Sequence, residues 1–382
     1  MKELILHVGY SKCASSSLQR FLCQNPKLNT NQNEVYQYWI INNKNNLISG
    51  DDIKRKITKS YDFYSSHISI HNPVSLHKAL ENLKKECPND ESVILSCEAL
   101  TEDGAGFEKI ATIFENLHVP IRIFFLVRPQ VEWVNSSWWQ WGCWLENMTP
   151  DQWVLMFRKG KMLDAIKKWD RLENVQECFV ADISQDPVNS FLEFLKIEKS
   201  FPQIPAKINS GSSPDLLRLL INNKDLFQRT CHDSRIEDEL NHFLGSKSFE
   251  TPFFLSQGQV EEITTLNAKD HEILLTNFTH PKKKIPPLSF QRHISAKQFL
   301  KKVCNFDYNN FLNEDYAQNF LIKIIQYNFD RFNKKFDPEE YLRLNKKFDP
   351  EEYLRLNTDV KSSGMNPYEH FMEHGIEEGR NF

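Results

Sequence analysis

The first two dozen residues of the chain constrain its fold more than any other stretch. An apolar run from Leu4 to Val8 is typical of a buried strand, and Gly9 permits a sharp turn directly after it. Apolar residues then return at helical spacing between Leu18 and Leu22. The intervening polar loop carries one lysine and a run of hydroxyls: Lys12, Ser15, Ser16 and Ser17. The sequence therefore predicts a strand, a loop and a helix N-terminus that together attract phosphate or sulfate.

This loop does not match the Walker A motif of ATPases and GTPases. The pattern G-x-x-x-x-G-K-[ST] places its lysine further from the first glycine, whereas Lys12 follows Gly9 by only three residues. Ala14 stands where a second glycine is expected. An ordinary ATPase or GTPase is therefore disfavoured, and a strand-to-helix turn with a serine-rich cap and no ligand is the structural alternative.

Length, charge and cysteine usage narrow the class of protein. A chain of 382 residues can bury a large core and predicts more than one unit. The net charge of −4 provides no global basic field, so no nucleic-acid partner is expected. Neither a signal pattern nor a transmembrane-length apolar run is visible, which favours a cytoplasmic protein. The eight cysteines form no C-x-x-C pair, so neither a zinc ribbon nor a disulfide framework is indicated.

Further strands follow, each separated from the next by a helix. An apolar run over residues 92–97 leads to Glu98, and a second run from Pro120 to Val127 leads straight into Arg128. Residues 131–140 suit a helix, and residues 176–182 suit another strand. This alternation predicts an α/β fold with a mostly parallel sheet flanked by helices.

Ligands of open α/β sheets bind outside the carboxyl ends of the strands, where Glu98 and Arg128 are predicted to lie. The structural alternatives are that Glu98 caps the following helix and that Arg128 forms a salt bridge. Five tryptophans lie shortly after Arg128 and suit either core packing or contact with a flat ligand such as a sugar ring; they are Trp133, Trp138, Trp139, Trp141 and Trp144.

The chain after residue 280 has a different character. A basic, proline-rich stretch over 281–287 cannot continue a helix and marks a boundary. We predict an α/β domain over 1–280, a linker and helical connector over 281–332, and a small helical C-terminal module over 333–382. Residues 333–344 recur without change as residues 345–356. In each copy an aspartate precedes a proline, which predicts a short capped helix.

Three separated pieces together resemble one enzyme family. The Lys12 loop, the strand leading to Glu98, and Arg128 followed eight residues later by Ser136 resemble sulfotransferases that use 3′-phosphoadenosine 5′-phosphosulfate (PAPS). The resemblance is to carbohydrate and bacterial polysaccharide-type members and covers roughly residues 1–280. It implies a P-loop-like fold. The C-terminal module resembles short modules appended to bacterial polysaccharide-building enzymes.

The resemblance implies a role for each motif residue. Gly9, Lys12 and Ser15 to Ser17 match the loop that holds the 5′-phosphosulfate, whereas Cys13 and Ala14 depart from it. Arg128 and Ser136 match the pair that holds the 3′-phosphate. Lys12 is expected to stabilise the leaving phosphate, and Glu98 is expected to act as general base, with His71 as second choice. PAPS is the implied co-substrate, and no metal is required.

The implied acceptor is a hydroxyl of a carbohydrate or polysaccharide, and the C-terminal module is a possible docking site for a protein partner. A kinase or another nucleotide-dependent transferase is the nearest enzymatic alternative, although the lysine spacing disfavours it. A glycan- or nucleotide-binding scaffold whose loop has lost catalysis is the non-enzymatic alternative.

Overall fold

A computed structural model describes the structure of most of the chain. The described residues are 1–42, 44, 46–56, 65–66, 73–101, 106–183, 186–198, 214–224, 252–278, 292–303, 308–312, 350–363, 365 and 367–370. The chain divides into two compact units, Met1–Phe320 and Leu321–Phe382. His71, the connector over 281–287 and the first repeat copy lie outside the described residues.

The first unit is built on a mixed sheet whose central strands are parallel. The strands are β1 Leu4–His7, β2 Lys27–Asn29, β3 Val35–Ile41, β4 Leu47–Ser49, β5 Glu91–Ser96, β6 Ile121–Val127 and β7 Val175–Asp182. Their order is β2-β3-β5-β1-β6-β7, and β4 pairs with β3 outside this path. Strands β3, β5, β1, β6 and β7 run parallel, whereas β2 and β4 pair antiparallel to β3. The predicted α/β class with a mostly parallel sheet is confirmed.

Helices flank this sheet. They are α1 Ser15–Gln24, α2 Gly50–Lys56, α3 Pro73–Glu86, α4 Gly106–Glu115, α5 Gln130–Gln140, α6 Pro150–Phe157, α7 Met162–Asp170, α8 Pro187–Phe194, α9 Pro214–Asn222 and α10 Gln257–Asn277. Short 3₁₀ turns cover Glu98–Thr101 and Gly142–Trp144, and short helices cover Lys297–Leu300 and Tyr308–Phe311. Local chemistry sets several helix starts, because Thr149 and Ser256 each form a capping box.

The core lies on both faces of the central strands. Leu4, Ile5 and Leu6 of β1 are fully buried, as expected for a strand with parallel neighbours on both sides. Phe124 of β6 packs against Phe179 of β7, with ring centroids 5.8 Å apart. The sheet is therefore a rigid base for the loops that leave its strands.

The tryptophan-rich stretch is part of this core. Four of the five indoles are buried, namely Trp133, Trp138, Trp139 and Trp144. The ring N–H groups of Trp133, Trp139 and Trp144 each donate to a backbone carbonyl, as when Trp139 Nε1 donates to the Pro252 carbonyl at 2.7 Å. Trp138 Nε1 is buried without a hydrogen-bond partner. Packing, rather than a sugar-binding surface, accounts for these four residues.

The described part of the C-terminal unit consists of three short helices, Pro350–Leu356, Thr358–Ser363 and Pro367–His370. The first begins at the proline of the second repeat copy, as predicted. Tyr353 and Val360 form its small core, and Tyr353 Oη lies 3.0 Å from His370 Nδ1. Within the described residues of the whole chain, no helix is long and apolar enough to cross a membrane.

Candidate active site

The loop between β1 and α1 forms a cradle at the N-terminus of α1. Two of its residues, Lys12 and Ala14, adopt left-handed backbone conformations with φ of 66° and 63°. Ala14 precedes the first turn of α1 and supplies no side-chain cap. Since the first N–H groups of a helix have no partner within the helix, this end of α1 is suited to an anion. The Ala14 position thus takes the conformation that glycine prefers.

The cradle is held in place from β6 and α5. Trp133 Nε1 donates a hydrogen bond to the Ser11 carbonyl at 2.8 Å, and the Tyr10 ring packs on the Trp133 ring with centroids 5.7 Å apart. Within the loop, Cys13 N–H donates to the Tyr10 carbonyl at 3.1 Å. Trp133, for which the sequence left core packing and ligand contact open, therefore supports the loop.

Glu98 lies against the cradle. It begins the 3₁₀ turn after β5 rather than ending the strand, which stops at Ser96. Because β5 is the parallel neighbour of β1, the Glu98 side chain reaches Gly9: a Cβ on Gly9 would stand 3.2 Å from Glu98 Cγ. Burial raises the pKa of Glu98, while the nearby Ser15 hydroxyl and Lys12 ammonium lower it in part.

Ser15 Oγ is a buried polar atom of the cradle. Its side chain is buried, and the hydroxyl makes no hydrogen bond of good geometry, although it is near enough to Glu98 to affect that carboxyl. A buried hydroxyl without a good partner is costly. An anion at the N-terminus of α1 would satisfy it. Ser16 and Ser17 are half-buried in the same first turn, where the Ser17 N–H donates to Ala14.

A buried polar network supports the cradle from below. His7 Nδ1 lies 2.8 Å from Ser96 Oγ, which also accepts a hydrogen bond from Gln19 Nε2 at 3.0 Å. Burial lowers the pKa of His7 to about 3, so this imidazole is neutral. A Cβ on Gly9 would lie 3.3 Å from the His7 ring. The network thus joins β1, β5 and α1 directly beneath the loop.

Cys13 links the cradle to Arg128. Its thiol is buried, and burial raises its pKa to about 12, while the nearby charge and backbone of Arg128 lower the pKa in part. The thiol therefore stays protonated and is not a nucleophile, since nucleophilic cysteines need the thiolate form. Strand β6, which leads into Arg128, is the other parallel neighbour of β1. The structure thus brings Gly9, Lys12, Ser15, Glu98 and Arg128 to one edge of the sheet.

Arg128 has an incompletely satisfied guanidinium. Its Nε is buried and makes no hydrogen bond, and the nearest carboxylate oxygen, Glu132 Oε2, is 3.8 Å away. Ser136 is half-buried in α5, one helical turn beyond Glu132 and on the same side of the helix. A buried guanidinium nitrogen without a hydrogen-bond partner is suited to a phosphate oxygen.

Three charged residues beside Arg128 were not predicted from the sequence. Glu132 also receives a hydrogen bond from Arg292 Nη2 at 2.7 Å, and Arg292 Nη1 lies 3.2 Å from Asp182 Oδ1. The spacing of four residues from Arg128 was the available signal for Glu132, and the end of a strand was the signal for Asp182. No local pattern marks Arg292. Among the residues that the structure describes, no group of three His, Cys, Asp or Glu side chains is arranged to hold a metal ion.

No protein-family model matches the chain, and no curated protein matches it. Among solved structures, the chain is similar to a sulfotransferase from Alicyclobacillus acidocaldarius, with 14% identity, a TM-score of 0.31, and coverage of 72% of this chain and 94% of that chain. A likeness at this level carries no information about activity.

Proposed function

We propose that the protein is a sulfotransferase that moves a sulfuryl group from PAPS to a carbohydrate hydroxyl. The observation that carries this proposal is the pairing of two candidate anion-binding elements with one half-buried carboxyl, that of Glu98. Ser15 and the N-terminus of α1 supply donors after β1, and Arg128 supplies a donor after the neighbouring strand β6. Glu98, whose pKa is raised by burial, lies against the first of them.

Each element has a defined task in sulfuryl transfer. Ser15, Ser16, Ser17 and the first turn of α1 bind the 5′-phosphate, because aligned N–H groups and hydroxyls favour an anion. The Lys12 ammonium neutralises the charge that develops on the bridging oxygen as its bond to sulfur breaks. Arg128 and Ser136 bind the 3′-phosphate, which PAPS carries and ATP lacks.

Glu98 is the proposed general base. As the acceptor oxygen bonds to sulfur, the acceptor hydroxyl gives its proton to the Glu98 carboxylate, and adenosine 3′,5′-bisphosphate leaves. A base works best when its pKa lies near the operating pH, and the burial of Glu98 moves its pKa in that direction. His71 remains the second choice, and its position lies outside the described residues.

Nucleotide titration followed by a transfer assay tests the proposal. Adenosine 3′,5′-bisphosphate, AMP and ATP are titrated separately by calorimetry, and sulfate transfer from PAPS is then assayed on a panel of glycans. We expect the 3′-phosphorylated ligand to bind tightest and at least one glycan to be sulfated. Tighter binding of ATP supports a nucleotide-dependent transferase instead, and nucleotide selectivity with no transfer supports a binding scaffold.

The general-base role has its own test. Replacing Glu98 by glutamine is expected to lower turnover by about 10²–10⁴-fold while adenosine 3′,5′-bisphosphate still binds. Glu262→Gln is the matched control, because Glu262 is an exposed carboxylate paired with Arg158. Unchanged turnover in Glu98→Gln would exclude the role.

The C-terminal unit has a separate proposed role in docking a protein partner. A chain truncated before residue 321 and the full chain are to be compared for sulfate transfer to a small glycan and for pull-down of partners. Equal transfer and loss of partners support docking, whereas equal pull-down contradicts it.

A further inference from the structure

Glu132 lies between Arg128 and Arg292 and is closer to Arg292. Its Oε1 accepts a hydrogen bond of 2.7 Å from Arg292 Nη2. Its Oε2 stands 3.8 Å from Arg128 Nε, which is too long for a hydrogen bond. The three side chains are each about one-fifth exposed, so solvent screens their interactions only in part. The carboxylate therefore binds Arg292 and leaves Arg128 Nε without a hydrogen-bond partner.

Arg292 is fixed by a second, buried carboxylate. Its Nη1 lies 3.2 Å from Asp182 Oδ1, and Asp182 Oδ2 also bonds to His293 Nε2. His293 Nδ1 in turn lies 2.6 Å from Nδ1 of His271 in α10. Asp182 is the last residue of β7 and is the register partner of Val127, which directly precedes Arg128. The sheet itself thus sets the position of Arg292 relative to Arg128.

We propose that Arg292 is a positioning residue, which engages Glu132 so that Arg128 remains available to the 3′-phosphate of the nucleotide. This inference rests on the proposed function, because it assigns Arg128 to that phosphate. Arg128, Arg292, Glu132 and Asp182 together sum to a charge of zero, and removing Arg292 brings that sum to −1. Without Arg292, Glu132 keeps Arg128 as its remaining arginine partner. The Glu132 carboxylate then competes with the phosphate for the Arg128 guanidinium.

The readout is the preference for a 3′-phosphate, since a purely structural role would not change it. Calorimetry gives the dissociation constants of AMP and of adenosine 3′,5′-bisphosphate, and their ratio is the preference. We expect Arg292→Gln to lower this ratio by about tenfold, a size typical of coupled sites. We expect the Arg292→Gln/Glu132→Gln double variant to return within about twofold of the parent, because no carboxylate then competes.

Two further variants complete the design. Glu132→Gln alone keeps Arg292 on Asp182 and is expected to keep or raise the ratio. Arg158→Gln is the matched control, because Arg158 forms an exposed pair with Glu262 and is expected to leave the ratio unchanged. If Arg292→Gln does not fold, Glu132→Gln still decides, because a lower ratio in that variant means that Arg128 needs Glu132 and overturns the inference.

The outcomes separate this inference from the function on which it rests. A parent protein that shows no preference for the 3′-phosphate overturns both. A preference that is present in the parent and unchanged in Arg292→Gln overturns the inference alone. The inference is also overturned if Arg292→Gln loses the preference for the 3′-phosphate and the double variant does not recover it. Arg292 would then act by a route other than Glu132.

Discussion

Gly9→Ala tests the packing that brings the cradle and the proposed base together. Gly9 avoids the left-handed region, so the effect of an added methyl is steric. Its Cβ would approach Ser15 Oγ to less than 3.0 Å, a separation that Cβ atoms essentially never show, and would stand 3.2 Å from Glu98 Cγ. The same Cβ would also stand 3.3 Å from the His7 ring, which is held by Ser96, so the added methyl group is crowded on three sides.

The expected cost is that of an overpacked core. Inserting a methyl group into a well-packed site destabilises a protein by about 1–3 kcal/mol. For the unit Met1–Phe320, about 2 kcal/mol corresponds to a fall of about 3 °C in the melting temperature, because the unfolding entropy is about 2.1 cal/mol/K per residue. Because the methyl displaces Ser15 and Glu98, adenosine 3′,5′-bisphosphate should also bind more weakly. Differential scanning calorimetry and isothermal titration measure the two effects.

A second substitution and a control make this test specific. Ser15→Ala removes the closest contact, so the Gly9→Ala/Ser15→Ala double variant should regain a large part of the lost stability. Gly258→Ala is the control, since an added Cβ there meets nothing within 4 Å and alanine should stabilise α10 by about 0.5–1 kcal/mol. A Gly9→Ala protein that melts with the parent, or a double variant that recovers nothing, would refute the packing described here.

Three further predictions concern the same site. Burial raises the pKa of Glu98, so the stability from its neutral form is present below the usual value of 4.5 and is lost as pH rises through the folded-state pKa. The melting temperature of Glu98→Gln should therefore exceed that of the parent by a margin that grows as pH rises from 4.5 through the folded-state pKa. A difference in melting temperature that stays constant over this range contradicts the prediction. Ala14→Gly should melt no lower than the parent, because it relieves a left-handed strain of about 1–2 kcal/mol; a lower melting temperature indicates that the strain is absent. Trp133→Phe removes the donor to the Ser11 carbonyl and should weaken nucleotide binding in titrations, with unchanged affinity as the contrary result.

Site residues that directly follow a strand, such as Glu98 and Arg128, could be predicted from the sequence. Arg292, which reaches the site from a distant part of the chain, could not. The apolar runs before Gly9, Glu98 and Arg128 are long enough to identify buried strands, and parallel pairing places their carboxyl ends on one edge. Arg292 follows a proline-rich stretch with no periodic pattern, so nothing local indicated that it meets Glu132. That contact depends on the register of β6 with β7, which ends at Asp182.

For the tryptophans after Arg128, the sequence could not decide between core packing and ligand contact. An indole suits both a core and a ligand surface, so composition left the choice open. The choice is decided by helix phase and by neighbours such as Phe254, which packs 5.6 Å from Trp138 and is distant in the chain. Trp133 combines packing with a hydrogen bond to the loop, and that role requires knowledge of where α5 lies relative to β1.

Ala14 joins the energetics of the loop to its proposed task. A left-handed alanine costs free energy that glycine would not, and strain of this kind persists where the surrounding structure over-determines it. Here Cys13, next to Ala14, is fully buried close to Arg128. Cys13 therefore packs the cradle against Arg128, which holds the two proposed anion-binding elements next to each other. Such preorganisation lowers the entropic cost of binding one ligand with two phosphates, which is the ligand that the site is proposed to take.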